Sequence, residues 1–299
     1  TAYLIDVSIP DYNLAQFRKD ILAAYLPAGT ALGGTVSMLL NLNKKPGKDN
    51  PPAFNGNVKM SRVSIASKAI NLVLDGSVKF LPDVISLEGL RLIAGQNSAD
   101  VTGSVKNYMK YPDVNMKIYS KSILLDELIP AAPAGQQEAA APAKGEAKKE
   151  MEPMDLKMRA NIAADIDSTR YKGVTITNFR SLFQLKNNVL SIPYLKGNTL
   201  SGAFALKGNV DLGQRGTRYT MNSDLSGVKL EEVTKAFAPK ASGKLFGTFS
   251  AKADISGSGT LPANVKRNLK GKGEFSVRDG SIRNAELSER FLTILGLQE

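Results

Sequence analysis

The 299-residue chain contains no cysteine, no histidine and no tryptophan. Without cysteine there is no disulfide framework and no thiolate metal centre. That absence does not assign a compartment, because a periplasmic β protein can lack disulfides as readily as a cytosolic one. Without histidine the commonest general base and the commonest metal ligand are missing. No serine has an imidazole to activate it. Long apolar runs are missing too: none reaches the length of a signal-peptide core or a transmembrane helix. The chain starts at Thr1 and is expected to be an excised or processed piece, so an anchor in the native protein is not excluded.

Charge is present in excess. Lys and Arg outnumber Asp and Glu by 39 to 28, a net charge of +11, and the pI is near 9.6. A basic surface suits anionic partners: nucleic acid, phospholipid headgroups or lipopolysaccharide. A lysine-rich soluble surface accounts for the same numbers. The 9 Tyr and 11 Phe lie mostly on the apolar sides of alternating segments, and the lysines are scattered. With no basic–aromatic stacking motif, nucleic acid is not expected as a partner.

Residues that could carry chemistry fail on inspection. The segment from Gly197 to Gly202 has the glycine spacing of a phosphate-binding loop, but Ala203 stands where the lysine belongs. Gly257 and Gly259 form a lone glycine pair. Asp165 and Asp167 alternate along a strand edge, where solvated carboxylates are the default. No cofactor and no metal site is expected, and the chain reads as a non-enzyme. Lys266, Arg267, Lys270 and Lys272 form a basic cluster that could touch phosphate headgroups or a membrane surface; a solvated loop is the commoner explanation of such a cluster.

Period-2 alternation dominates the rest. Tyr3, Ile5, Val7 and Ile9 point one way, as do Val36, Met38, Leu40 and Leu42. Leu72 to Phe80, Ala99 to Val105 and Val114 to Ile118 repeat the pattern. After a break come Phe179 to Leu185, Leu190 to Tyr194, Leu200 to Leu212, Tyr219 with Met221, Leu245 to Ile255, and Phe275 with Val277. Opposite positions are mostly polar or Gly, the pattern of antiparallel strands with one apolar and one wet face. Three times such a strand runs into a short leucine-bearing helical stretch: from Tyr3 to Leu14, from Val114 to Leu124 and from Tyr219 to Leu230. The offsets are 11, 10 and 11 residues. A repeated unit of this kind makes an extended surface more readily than a single reaction pocket.

Turn chemistry is read at Asp75-Gly76, Lys186 to Asn188, Gly197-Asn198, Gly213 to Gly216 and Asp279-Gly280. Hairpins are expected over Phe183–Ile192 and Ile192–Gly202. Helices are expected over 13–26, 229–237 and 285–296. Residues 131–153 contain eight Ala and three Pro with no branched or aromatic side chain. They are expected to form a disordered, dispensable linker between an N-terminal β-rich segment (1–130) and a C-terminal one (154–299).

The C-terminal segment resembles the AsmA family. The likeness is carried by the run from Asn178 to Val210 (NFRSLFQLKNNVLSIPYLKGNTLSGAFALKGNV). It continues in Leu225-Ser-Gly-Val-Lys-Leu-Glu-Glu-Val233, Gly243-Lys-Leu-Phe-Gly-Thr-Phe249 and Leu269-Lys-Gly-Lys-Gly-Glu-Phe-Ser-Val-Arg-Asp-Gly-Ser-Ile282. Residues 1–130 share the grammar more loosely. The resemblance implies an envelope protein of Gram-negative cells, tethered to the inner membrane by one N-terminal helix absent from this chain and extending into the periplasm. It further implies membership of the bridge-like lipid-transfer group, moving phospholipid toward the outer membrane.

The expected fold is therefore all-β with a few short helices: an elongated, curled antiparallel β-sheet, groove- or taco-like, built from repeats. Acyl chains are expected against Phe183, Leu185, Leu190, Ile192, Leu200, Phe204, Leu206, Leu245 and Phe249. Expected partners are phospholipid or another acyl-chain lipid, a membrane surface and other envelope proteins. The alternative is a structural scaffold that assists outer-membrane protein assembly, its apolar face filled by its own side chains. A periplasmic glycan- or lipid-modifying enzyme is the more distant rival.

Overall fold

Alternation of apolar and polar residues favours extended backbone wherever one face can be covered and the other wetted. The computed structural model, which describes residues 2–16, 30–47, 52–67, 71–128 and 149–283, resolves that alternation into fourteen strands. They are β1 (Tyr3–Asn13), β2 (Ala31–Lys44), β3 (Ala53–Ala66), β4 (Asn71–Leu81), β5 (Val84–Ala94), β6 (Asn97–Lys106) and β7 (Asp113–Leu124). After the Ala/Pro-rich stretch come β8 (Arg159–Tyr171), β9 (Val174–Lys186), β10 (Val189–Thr199), β11 (Gly202–Asp211), β12 (Arg218–Lys229), β13 (Leu245–Ser258) and β14 (Lys270–Ile282). Three helices are described: α1 (Leu125–Leu128), α2 (Leu230–Phe237) and α3 (Pro262–Asn268). The all-β class with short helices is as expected, and the strands follow sequence order in one sheet.

All three repeat units are present. β1 ends in a single 3₁₀ turn, Leu14–Gln16, β7 runs into α1 and β12 into α2. Asn13 starts the first turn by accepting a 2.9 Å hydrogen bond from the Ala15 N–H, an Asx-type arrangement. The rest of the helix expected over 13–26, and the one expected over 285–296, lie outside the described residues. Lys266 and Arg267, for which a solvated loop is the simpler expectation, lie instead in α3, with Pro262 in its first turn, where a missing N–H costs nothing.

The chain divides into two compact units. The first holds 1–129 with 156–167 and 182–188; the second holds 130–155, 168–181 and 189–299.

In the first unit, β1 to β7 pair antiparallel with their sequence neighbours. Cross-strand partners on one face are mostly apolar: Leu40 opposite Val7, Val78 opposite Val58, Val105 opposite Ile85, Met116 opposite Gly103. β8 then joins β7 in parallel. The Arg159 N–H donates to the Pro112 carbonyl at 2.8 Å, Asn161 donates to Asn115 at 2.9 Å, and Tyr119 donates to Asp167 at 2.8 Å; both sequences climb together. A parallel pair needs a crossover of a dozen residues or more. The stretch between Leu124 and Arg159 supplies it, which gives the Ala/Pro-rich insertion a topological role.

In the second unit, β10 to β14 form an antiparallel meander. The hairpin turn at Asn187–Asn188 has both residues at positive φ (52° and 61°), as its chemistry predicted. The next turn does not sit where expected. Gly197 and Asn198 lie inside β10, and the reversal falls on Leu200 and Ser201, at φ 49° and 60°. Gly197 is a glycine for packing, since a Cβ there would come within 3.1 Å of the Phe204 ring. Asp75-Gly76 and Asp279-Gly280 are likewise not turns: both lie within strands, β4 and β14. Gly76, at φ 132°, marks a shift of register against β5, and the Asp75 carboxylate accepts the Arg62 N–H at 2.7 Å. Such bulges put two residues against one and sharpen the local twist.

Candidate functional site

The strand register sorts the side chains of the second unit onto two faces. On the apolar face Leu190 lies opposite Val210, Leu195 opposite Leu206, Gly197 opposite Phe204 and Phe204 opposite Leu225. Further along, Phe249 lies opposite Val228 and Val277, and its ring stands 6.4 Å from that of Phe275. Of the expected acyl-contact residues, Leu190, Ile192, Phe204, Leu206, Leu245 and Phe249 therefore share this face. Leu200 does not join them: it occupies the hairpin turn and borders a polar concavity on the other side of the sheet. Phe183 and Leu185 belong to the first unit. Gln184 between them donates to Asn161 at 3.2 Å on the polar side, so both point to the apolar side.

Among the described residues, no layer of the protein's own side chains seals this surface. Phe204, Leu206, Met221, Leu225 and Ile255 are only half-buried. Along β14, Phe275 is 63 % exposed. Among the described residues the fully buried apolar side chains are Val63, Val101, Val174 and Val228 alone. A two-layer domain buries its large aliphatic and aromatic residues against a second element. Here they pack edge to edge along the sheet and leave their outer atoms uncovered.

The opposite face is polar and basic. On β10 to β14 it carries Lys196, Lys207, Arg218, Lys229, Lys252, Lys270, Lys272 and Arg278 against Asp211, Asp224, Asp254 and Glu274. Lys252 pairs with Asp224 at 3.9 Å, Lys272 with Asp254 at 3.7 Å, and Asn222 also donates to Asp254. The described concavities of this unit open on this face. One of them, about 1350 Å³, lies between α2 and the ends of β9 to β14. Its cations come from α2, β14 and the β8–β9 turn, so no local sequence signal could have grouped them.

The basic cluster read from the sequence is divided. Lys266 and Arg267 occupy the last turn of α3, where cations suit the helix dipole, and Arg267 donates to Asn264 at 2.9 Å. Lys270 and Lys272 stand on the polar face of β14, opposite Ser256 and Asp254. Between them Leu269 is 50 % exposed.

Of the expected linker, 131–148 lie outside the described residues, whereas 149–153 are held. The Glu150 carboxylate accepts hydrogen bonds from the Thr260 N–H (2.7 Å), the Thr260 hydroxyl (2.6 Å) and the Asn264 amide. The Met151 N–H donates to Thr260 Oγ1 at 3.0 Å, and its carbonyl accepts from Gly216 at 2.8 Å. The Thr260 side-chain bond, then the Asn264 bond and the Thr260 N–H, lower the Glu150 carboxyl to about 2. A carboxyl lowered on folding stabilises the docked strap above the ordinary glutamate range of about 4.3. That contribution fades as pH falls from there through about 2. The protection of 149–155 against hydrogen exchange, taken relative to the intrinsic rate at each pH, should fall across this window in the native chain. In Glu150→Gln it should be low already at neutral pH; a variant that kept the native profile would refute the assignment.

No metal-binding cluster of acids is found among the described residues, and no described helix is long and apolar enough to cross a membrane. A search of curated proteins finds no match. A family model described as the AsmA family matches residues 40–295, most of the chain.

Proposed function

Because the chain belongs to the AsmA family, we propose that it is a non-enzymatic lipid-binding protein that carries acyl chains along its apolar β face. Family membership is consistent with a lipid-transfer or envelope role. The observation that supports the finer reading is the face itself: large apolar side chains in cross-strand register, half-buried, with no second layer over them among the described residues.

The energetics favour lipid. Each methylene withdrawn from water contributes about 0.8 kcal/mol, so a long acyl chain laid along the face would replace the missing layer. A phosphate headgroup cannot follow without a large desolvation penalty, so it stays at the wet rim. Transfer by sliding needs no covalent step, in keeping with a chain that lacks histidine. The setting that goes with this reading is the periplasm. There an inner-membrane tether would hold the chain while phospholipid moves toward the outer membrane. Lys266, Arg267, Lys270 and Lys272 would serve as the headgroup or membrane contact.

Mass spectrometry of solvent extracts from the purified, folded protein tests this reading. Phospholipid in near-stoichiometric amount is expected. Protein that is folded, monodisperse and free of acyl lipid would instead point to a scaffold for outer-membrane protein assembly.

A further inference from the structure

The large concavity on the polar face of the second unit has no part in acyl binding, yet its chemistry is directed. We infer that it is a second binding site, for a phosphate ester carried on a polyhydroxylated group such as a sugar.

Thr248 Oγ1 accepts a 2.9 Å bond from the Lys229 ammonium, and Ser250 Oγ accepts a 3.0 Å bond from the Gly227 N–H. Each hydroxyl has one proton to donate. With an acceptor position already filled by the protein, both are set to donate outward into the cavity they line. Arg278 stands directly opposite Thr248 in the β13–β14 register and lines the same cavity, as does Lys235 from α2. Neither Arg278 nor Lys235 has an ion-pair or hydrogen-bond partner on its side chain among the described residues, while Lys252 and Lys272 on the same face are paired. Two uncommitted cations beside two outward hydroxyl donors form an anion receptor, and a guanidinium with its fork of N–H groups suits phosphate oxygens in particular.

The remainder of the lining fixes the character of the rest of the ligand. Glu232 supplies the acidic group. Its Oε1 accepts a 2.6 Å bond from Ser201, which holds the carboxylate in place and leaves acceptor capacity for a ligand hydroxyl. Asn198 and Thr177 add amide and hydroxyl groups from the adjoining strands. Large apolar side chains are nearly absent from the wall, so an acyl chain would gain little here. The volume of about 1350 Å³ exceeds the roughly 300–1,000 Å³ of common small-molecule pockets, which leaves room for more than one sugar ring. One chemistry thus has two sources, a soluble sugar phosphate or the headgroup of a phosphorylated lipid. The inference stands apart from the acyl-binding reading, because the two faces share no lining side chain.

The test measures binding of glucose 1-phosphate, glucose and inorganic phosphate to the full chain by calorimetry. In parallel it measures binding to phosphatidylcholine vesicles with and without phosphatidylinositol. Native protein should bind glucose 1-phosphate saturably, more tightly than glucose or phosphate alone, and more weakly as salt rises. The double variant Lys235→Gln/Arg278→Gln should lose at least tenfold, and Arg278→Lys less, while copurified lipid is unchanged in both. Both cations are exposed, so circular dichroism should confirm an intact fold. Binding only to phosphatidylinositol vesicles, lost in the double variant, assigns the lipid headgroup as the source. Inorganic phosphate bound as tightly as glucose 1-phosphate would overturn the sugar assignment. No saturable binding to any probe, or full binding by the double variant, would overturn the site.

Discussion

Phe204→Asp should abolish lipid retention by the second unit while the protein remains folded. Phe204 lies mid-face, between Gly197 on β10 and Leu225 on β12. Its side chain is half-buried in the protein alone, so an aspartate there can still reach water when the face is empty. A lipid tail laid over it would cover the carboxylate with no partner, a penalty of several kcal/mol. That is enough to lower occupancy well over tenfold. The neighbouring substitution Ala205→Asp places the same charge one residue on, where the strand presents its polar face, and should leave lipid content unchanged. A photo-crosslinking residue at 204 should capture lipid in the native background. Capture of protein side chains only, or equal lipid loss from both aspartates, would exclude the acyl face.

Deleting residues 131–153 should break the β7–β8 pair, whereas replacing 131–148 by glycine and serine of equal length should be silent. β7 has 12 residues, so at about 3.3 Å per residue the crossover must return some 36–40 Å. The deletion leaves only 125–130 and 154–158, six and five residues. Four of them are in α1, which advances about 1.5 Å per residue. The rest, fully extended at about 3.4 Å each, bring the reach to only about 30 Å. The chain must then unwind α1 or pull β8 out of register, and the Glu150 contacts vanish as well. The expected result is a lowered Tm and lost amide protection in β7 and β8. A deletion that kept native Tm and protection would show that the crossover length is not needed. The linker is thus expected to be indifferent in composition and constrained in length.

Much of this was legible in the alternation, and the misreadings share a cause. β1, β7, β12 and their helical ends, and the Asn187–Asn188 turn, follow from local periodicity and turn chemistry. β3 and β5 do not stand out, and β8 only in part. In β3 the apolar phase runs Phe54, Val58, Met60 and then shifts at Arg62 to Val63 and Ile65. In β5 the shift falls at Glu88–Gly89. A bulge inverts the period halfway along a strand, so a rule that counts in twos sees two short fragments. The same bulges recruit Gly and Asp, which read as turns at Asp75-Gly76 and Asp279-Gly280. β8 shows only in part, at Asp165 and Asp167, because RANIAADIDSTRY has alanine where a strand usually shows valine or isoleucine. That Leu190, Ile192, Phe204, Leu206, Leu245 and Phe249 share one apolar face could be read in advance, since facing is a period-2 property. Leu200 was misplaced because two non-glycine residues take positive φ. The polar cavity was invisible, being assembled from α2, β13 and β14 by tertiary packing.

The order of the strands has a bearing on how the chain acquires its structure. Within each unit nearly every antiparallel strand needs only the one made just before it, so the loops to be closed are short and local pairing can begin at once. Such a sheet can grow from its N-terminal edge as the polypeptide emerges, adding one hairpin arm at a time. Until the next arm arrives, the growing edge presents unpaired amides and carbonyls to whatever is near. The parallel β7–β8 junction is the pause in this progression. β8 cannot dock until the whole crossover has been delivered, so a half-made chain would linger with β7 as its bare margin.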